Sequence, residues 1–280
     1  MDFTKSIFEN SRRMPLVCAH RGSSSGNIPC NTLAAFNAAL MQGADMIELD
    51  VAVSADGKHY VFHPGMEKAY LKSETPIRAI PSEAVGGLRF FNPDDTKTQF
   101  GVVTLEEAFR FLRGKCYINV DKFWTDVPGI SRVIRACGVE KQVVVKTGTG
   151  DEELRQVRRY ASDFMFMPIV RGRDDVTDRL VADGVNCIGA EVLFGTLDEP
   201  CCSAEYVHEM HRKGRILFVN AEVYDCTAVI SAGLTDDVSV ADSPEKGWGK
   251  LADMGFDVIQ TDWSGLLRQH LRSRTAKAGC

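Results

Sequence analysis

The chain has 280 residues, of which 44% are apolar, enough to bury a large core; for an α/β barrel this length is normally one domain. A formal net charge of −5 excludes a nucleic-acid binder, because neutralising phosphates requires a basic face that this balance does not supply. No stretch approaches the 18 to 20 apolar residues of a membrane span, so no membrane anchor is expected.

The opening segment, MDFTKSIFENSRRMPLVCAH, has no apolar core of the kind an export signal needs. The nine cysteines are odd in number and scattered, several within apolar runs, which suits reduced, buried thiols and a cytoplasmic setting. Cys201-Cys202 lacks the CxxC spacing of a metal or redox pair.

In chain order, short apolar runs alternate with amphipathic helical stretches. Strands are predicted over Leu16–His20, Met46–Val53, Cys116–Lys122, Gln142–Lys146, Phe164–Val170, Val185–Val192, Arg215–Ala221 and Val258–Asp262. Helices fit at Leu33–Gln42, Leu105–Leu112, Gly129–Ala136, Glu152–Tyr160, Val176–Ala182, Ala204–Lys213, Trp248–Met254 and Leu266–Ser273. Strands apolar on both faces read as a parallel sheet, and eight strand-then-helix units close into a (β/α)8 TIM barrel; a doubly wound open sheet is the alternative. Asn31 or Thr32 suits a helix cap, Thr104-Leu-Glu-Glu107 has the capping-box form, and Gly43, Gly114, Gly138, Gly184, Gly214 and Gly255 follow helical runs. One segment breaks the rhythm: residues 64–103, after His63, read as a small insertion over the C-terminal mouth of a barrel.

Candidate functional residues gather where strand-like runs end. In Met46-Ile-Glu48-Leu-Asp50-Val51 the strand period of two puts Glu48 and Asp50 on one face. Two carboxylates in a partly desolvated barrel repel unless a cation sits between them. Hard oxygen ligands favour Mg²⁺ or Ca²⁺ over zinc, and Asp121, sharing a face with Asn119, supplies a third oxygen. His20 and His63 are candidates for proton transfer, and Arg21 suits a phosphate. His59, His208, His211 and His270 fall on an outer strand or on helices and read as structural or surface residues.

The run AHRGSSSGNIPCNTLAAFNAALMQGADMIELDVAVSADGKHYVFH, Ala19 to His63, resembles the opening signature of the glycerophosphodiester phosphodiesterase family. The resemblance continues more weakly through INVDK at 118–122, FVN at 218–220 and DVIQTD at 257–262. It implies a barrel and metal-dependent cleavage of a phosphodiester, with His20 and His63 as the acid/base pair, Arg21 on the phosphate, and Glu48 and Asp50 as metal ligands.

Three departures stand out. Cys30 replaces the family's usual Glu before Asn31-Thr32. Asp121-Lys122-Phe123 replaces its E-x-K pattern, so the phosphate-binding lysine is Lys122 or Lys146. His63-Pro-Gly-Met-Glu67 replaces its His-Asp. HPGME, INVDKFW and IPCNT resemble a bacterial branch linked to sugar phosphodiesters such as the agrocinopine opines.

The expected reaction is hydrolysis of a small glycerophosphodiester-like substrate to a phosphomonoester and an alcohol, by way of a cyclic phosphate, with Mg²⁺ or Ca²⁺ (Mn²⁺ as the substitute) as cofactor. A phospholipase D-like lyase that stops at the cyclic phosphate and a noncatalytic phosphate-ligand-binding barrel are the alternatives. In the insertion, Met66, Tyr70, Phe90 and Phe91 are expected to wall the pocket, with Glu67 and Arg89 as polar contacts there. Nothing in the sequence specifies an oligomeric state.

Overall fold

The computed structural model describes residues 6–172, 176–223 and 227–278. Strands β1 (Leu16–Ala19) and β2 (Met46–Val53) are followed by the short β3 (His59–Val61) and by a hairpin of β4 (Arg89–Phe91) and β5 (Lys97–Gly101). Then come β6 (Tyr117–Asp121), β7 (Val143–Thr147), β8 (Met165–Arg171), β9 (Gly189–Leu193), β10 (Ile216–Asn220) and β11 (Val258–Thr261). Eight of these, β1, β2 and β6 to β11, pair in parallel, and β1 bonds to both β2 and β11, so the sheet closes into a barrel. All eight predicted strands are present, and helices return over the outside between them.

The barrel forms from these residues because each strand is buried on both faces. Outward positions such as Val17, Ile47, Leu49, Ile118, Val120, Val145, Val219 and Ile259 pack against the helices in one large apolar core. Inward positions follow the opposite parity and change character along the axis. Leu16, Cys18, Met46, Tyr117, Val144, Met167, Ile216, Phe218 and Val258 fill the lower interior. Farther along the same strands, the inward parity delivers Glu48, Asp50, Asn119, Asp121, Lys146, Glu191, Asn220 and Gln260, all but Asp121 buried.

The floor is sealed by a short helix, Ile7–Ser11, which the sequence reading did not mark. Ser6 and Glu9 cap it reciprocally, and Ile7 enters the interior cluster. Asp257 holds the floor together, accepting from the Leu217 amide (2.8 Å), from Ser11 Oγ (3.2 Å) and pairing with His211 Nε2 (2.9 Å).

Several boundaries differ from the predicted ones, for local reasons. β9 begins at Gly189 and not at Val185, the residues before it making only an isolated bridge from Cys187 to Phe166; a Cβ at Gly189 would stand 1.9 Å from the Ile216 carbonyl oxygen, so the close approach to β10 there requires glycine. The helix predicted from Gly129 runs Val127–Cys137, because Asp126 caps it by accepting from the Gly129 amide (3.0 Å). The helix predicted over Trp248–Met254 is a π-type turn, Glu245–Gly249, running into a helical turn, Lys250–Asp253. Thr32 caps the Leu33–Met41 helix through the Ala35 amide, and Thr104 forms the full capping box.

Residues 64–103 carry structure of their own: helices Glu67–Leu71 and Ser82–Gly87 and the β4–β5 hairpin. They share a separate apolar cluster, Ala52, Tyr60, Phe62, Leu71, Ile77, Val85 and Phe90, with the base of β2 and β3. β3 runs antiparallel to β2 outside the barrel, with Val51 opposite Val61, and so brings the chain back alongside Asp50 at His63. His59, on this outer strand, is paired with Asp126 (2.9 Å) away from the mouth.

Candidate active site at the barrel mouth

The parallel register of β2 and β6 sets Glu48 opposite Asn119 and Asp50 opposite Asp121. One oxygen from each of Glu48, Asp50 and Asp121 lies within 4.8 Å of the others. Burial, with the Asp50 charge adding to it, pushes the Glu48 carboxyl well above its ordinary range. Asp50 Oδ1 and Asp121 Oδ1 are buried without hydrogen-bond partners. Orphaned carboxylate oxygens converging on one point are what a hard divalent cation would satisfy, so the residues present fit such an ion.

The rest of the cluster holds these carboxylates still. Arg21 and Gly22 leave β1 in left-handed conformations (φ +57° and +79°), a turn forced by packing: a Cβ on Gly22 would meet the Ala35 backbone at 2.8 Å. The turn aims the Arg21 amide at Glu48 Oε2 (2.8 Å) while the guanidinium Nε stands 3.0 Å from Asp50 Oδ2. Asn31, also left-handed, donates to Asp50 Oδ2 (2.9 Å). Its position in the Asn31-Thr32 pair looked like a helix cap, and Thr32 alone does that work.

On Asp121, burial acts to raise the carboxyl, but Lys146 and Lys122 outweigh it and hold it below the ordinary carboxylate range. Lys122 Nζ is 3.2 Å from Asp121 Oδ2, partly exposed, and lies over the Trp124 ring. Lys146 is only 3% exposed and donates to Glu191 Oε2 (2.8 Å), which in turn accepts from Asn220 (2.8 Å). It stands 3.8 Å from Asp121.

His20 and His63 flank the carboxylates with different surroundings. His20 Nδ1 is 2.9 Å from Asp262 Oδ1. Burial draws the His20 pKa down, but the Asp262 hydrogen bond and the charges of Glu222 and Glu48 carry it up to about 9. Asp262 is itself placed by Asp236, which accepts from the Asp262 amide (2.8 Å), from Thr261 Oγ1 (2.7 Å) and from Trp248 Nε1 (2.6 Å). His63 has no hydrogen-bond partner on either ring nitrogen; Nε2 is 3.9 Å from Asp50 Oδ1. Burial lowers its pKa, helped by Arg21 and Lys122.

His20, Arg21 and His63 open into a cavity of about 850 Å³ that is also lined by Cys30, Met66, Tyr70, Val223, Asp262, Trp263 and Leu266. Met66 and Tyr70 thus lie at the cavity as the sequence suggested, whereas the four other residues named in the insertion do not. Phe90 is fully buried in the insertion's own core. Glu67 is spent on the Gly65 and Ile77 amides (2.8 and 3.0 Å), and Arg89 on the carbonyls of Gly86 and Leu88. Phe91 lines a neighbouring cavity with Tyr70 and Cys30. Burial raises the Cys30 thiol to about 11, so it stays neutral where the family usually has a carboxylate.

A (β/α)8 barrel that gathers carboxylates, two histidines and an arginine at the C-terminal ends of its strands carries them at the face where TIM barrels build their sites. Comparisons with known proteins narrow the class. The sequence model of the glycerophosphoryl diester phosphodiesterase family matches residues 20–222, and the chain belongs to that family.

A curated glycerophosphodiester phosphodiesterase from Caldanaerobacter subterraneus is 31% identical over 160 residues, 52% of this chain and 63% of that protein; the match thus spans under two thirds of that relative's length. A glycerophosphoryl diester phosphodiesterase structure from Parabacteroides distasonis aligns with a TM-score of 0.78 at 20% identity, covering 96% of this chain and 93% of that one. A phosphodiesterase from Oleispira antarctica, solved with the product sn-glycerol-3-phosphate, aligns with a TM-score of 0.64 at 19% identity, covering 95% and 98%. Among the described residues, no helix is long and apolar enough to cross a membrane.

Proposed function

We propose that this protein is a divalent-cation-dependent phosphodiesterase that hydrolyses a glycerophosphodiester to a phosphomonoester and an alcohol. The carrying observation is the convergence of Glu48, Asp50 and Asp121, two of them with orphaned oxygens, beside two histidines and Arg21. Family membership and the product held by the Oleispira antarctica phosphodiesterase support the same substrate class.

Glu48, Asp50 and Asp121 would hold Mg²⁺ or Ca²⁺, with Mn²⁺ as a substitute; when bound, such an ion would offset the charge of the phosphate and make the neighbouring hydroxyl easier to deprotonate. Arg21 and Lys122 bind the remaining phosphate oxygens. Lys146, hydrogen-bonded to Glu191 and 3.8 Å from Asp121, serves in this reading to position Asp121. His63, with both nitrogens free, removes the proton from the substrate hydroxyl next to the phosphate; that oxygen attacks phosphorus and the bond to the leaving alcohol breaks. His20, held through Nδ1 by Asp262, gives a proton to the leaving oxygen from its other nitrogen. Water then opens the cyclic phosphate with the two roles reversed. We place this chemistry in the cytoplasm, a setting that suits the free, buried Cys18, Cys116 and Cys187.

The test is phosphorus NMR of the products from a panel of glycerophosphodiesters and sugar phosphodiesters with Mg²⁺ or Ca²⁺. A phosphomonoester supports the reading. A cyclic phosphate that persists would make the protein a lyase, and absence of turnover with bound ligand would make it a binding barrel.

A further inference from the structure

Eight large hydrophobic side chains are strongly exposed among the described residues, and three of them, Val223 (42%), Leu266 (44%) and Trp263 (48%), line the single cavity that holds His20 and His63. An exposed tryptophan loses the hydrophobic stabilisation its size offers, so apolar groups gathered at one concave place mark a binding surface more than scattered ones do. Met66, Tyr70 and the neutral thiol of Cys30 line the same cavity. Some of the polar groups lining the cavity are already used: Ser23 Oγ donates to Gln42 (2.9 Å) and meets Ser264 Oγ (3.1 Å), and Asp262 is paired with His20, while the exposed Ser24 and Ser25 also border the neighbouring cavity beside Phe91.

Size gives a second constraint. The ten heavy atoms of glycerol phosphate, each taking about the share of a water molecule, displace roughly 300 Å³. The cavity is about 850 Å³, so well over half is left for the other substituent of the diester.

Trp263 is also placed with precision. Its amide donates to Thr261 Oγ1 (2.9 Å) and its carbonyl accepts from the Leu267 amide (3.0 Å), which begins the Ser264–Ala278 helix. It directly follows Asp262, the partner of His20. The residue that fixes the histidine facing the leaving oxygen therefore immediately precedes the residue that walls the space beyond it.

We propose that the leaving alcohol of the substrate is apolar: an alkyl chain lying among Val223, Trp263, Leu266, Met66 and Tyr70. This rests on the phosphodiesterase reading above and on His20 facing the leaving group.

The experiment uses the full chain with Mg²⁺ and a homologous series of glycerophosphoalkanols, ethyl, butyl and hexyl, with glycerophosphocholine as a small cationic comparator. Burial of each methylene is expected to raise kcat/KM about threefold, so hexyl should exceed ethyl by about tenfold to a hundredfold. Trp263→Ala and Leu266→Ser should each flatten the series, with the loss growing as the chain lengthens, and Trp263→Phe should restore part of the slope; unchanged melting temperatures establish that the variants fold. A flat wild-type series, or glycerophosphocholine cleaved fastest with Trp263→Ala harming it as much as hexyl, overturns the proposal. So does a rate that rises only above the concentration at which the hexyl ester aggregates, which would indicate a lipid surface. If no diester is cleaved, the phosphodiesterase reading falls and takes this inference with it.

Discussion

His20 Nδ1 and Asp262 Oδ1 lie 2.9 Å apart across the seam where β1 meets β11, one step beyond the registered pair Ala19 and Thr261. The hydrogen bond fixes the imidazole through one nitrogen and leaves the other to face the cavity. Because His20 titrates near 9 and not at the ordinary 6.5, its folded form binds the proton more tightly than the unfolded chain does. The pair's stabilisation is therefore complete below about pH 6.5 and lost as the pH rises through about 9. Asp262→Asn should move the alkaline limb of the kcat profile toward neutral pH. A limb that stays in place would show that His20 is not the group being titrated.

Removing the imidazoles outright is the sharper intervention. His20→Ala and His63→Ala should each lower kcat by about 10² to 10⁴ while melting temperature and cation binding are retained, since what is lost is proton transfer. If one variant keeps near-normal turnover, that histidine has no place in the mechanism. An activated leaving group such as p-nitrophenolate needs no proton, so His20→Ala should be far less damaging on it than His63→Ala.

Cation removal should act on stability as well as rate. Chelation is expected to abolish turnover and Mg²⁺, Ca²⁺ or Mn²⁺ to restore it. In calorimetry, a cation at a hundred times its Kd adds about 2.7 kcal/mol to the wild type, read as a higher melting temperature. Asp50→Asn should erase most of that gain. Rescue by zinc alone would mean that the histidines, not the carboxylates, hold the metal.

Asp257 offers a contrast at the other end of the barrel. Asp257→Ala leaves the Leu217 amide and His211 without their acceptor, and Ser11 Oγ with the Phe8 carbonyl alone, and should cost about 2–4 kcal/mol in urea denaturation. Turnover of the folded fraction should be unchanged; a fall in kcat would tie the floor to the chemistry.

The sequence revealed the barrel because eight buried parallel strands leave an unbroken apolar signal, and it exposed Glu48 and Asp50 because a charged pair at strand spacing interrupts that signal. Other parts were less visible. Asp262 reads as the polar end of a strand, and its role depends on a neighbour 242 positions earlier. Asn31 sat in a capping motif that explained it locally, although its side chain serves Asp50. Lys146 and Lys122 looked equivalent, each ending a strand; burial and Glu191 separate them, and those are properties of the closed barrel. The helices and hairpin of residues 64–103 escaped notice because each is only three to six residues long and gains its stability from a shared core.

The change in the barrel's lining, from apolar at the floor to charged at the mouth, has a consequence for how the molecule tolerates change. Carboxylates held close together are a liability that Arg21, Asn31 and the two lysines offset only in part, since Asp50 and Asp121 keep unpartnered oxygens, so the mouth is where the ligand-free chain is most frustrated. Neutral substitutions there are expected to give a sturdier but idle protein, whereas at the floor the same kind of substitution only loosens it. Repeated selection for heat resistance and for turnover should therefore accumulate mutations at opposite ends of one set of strands.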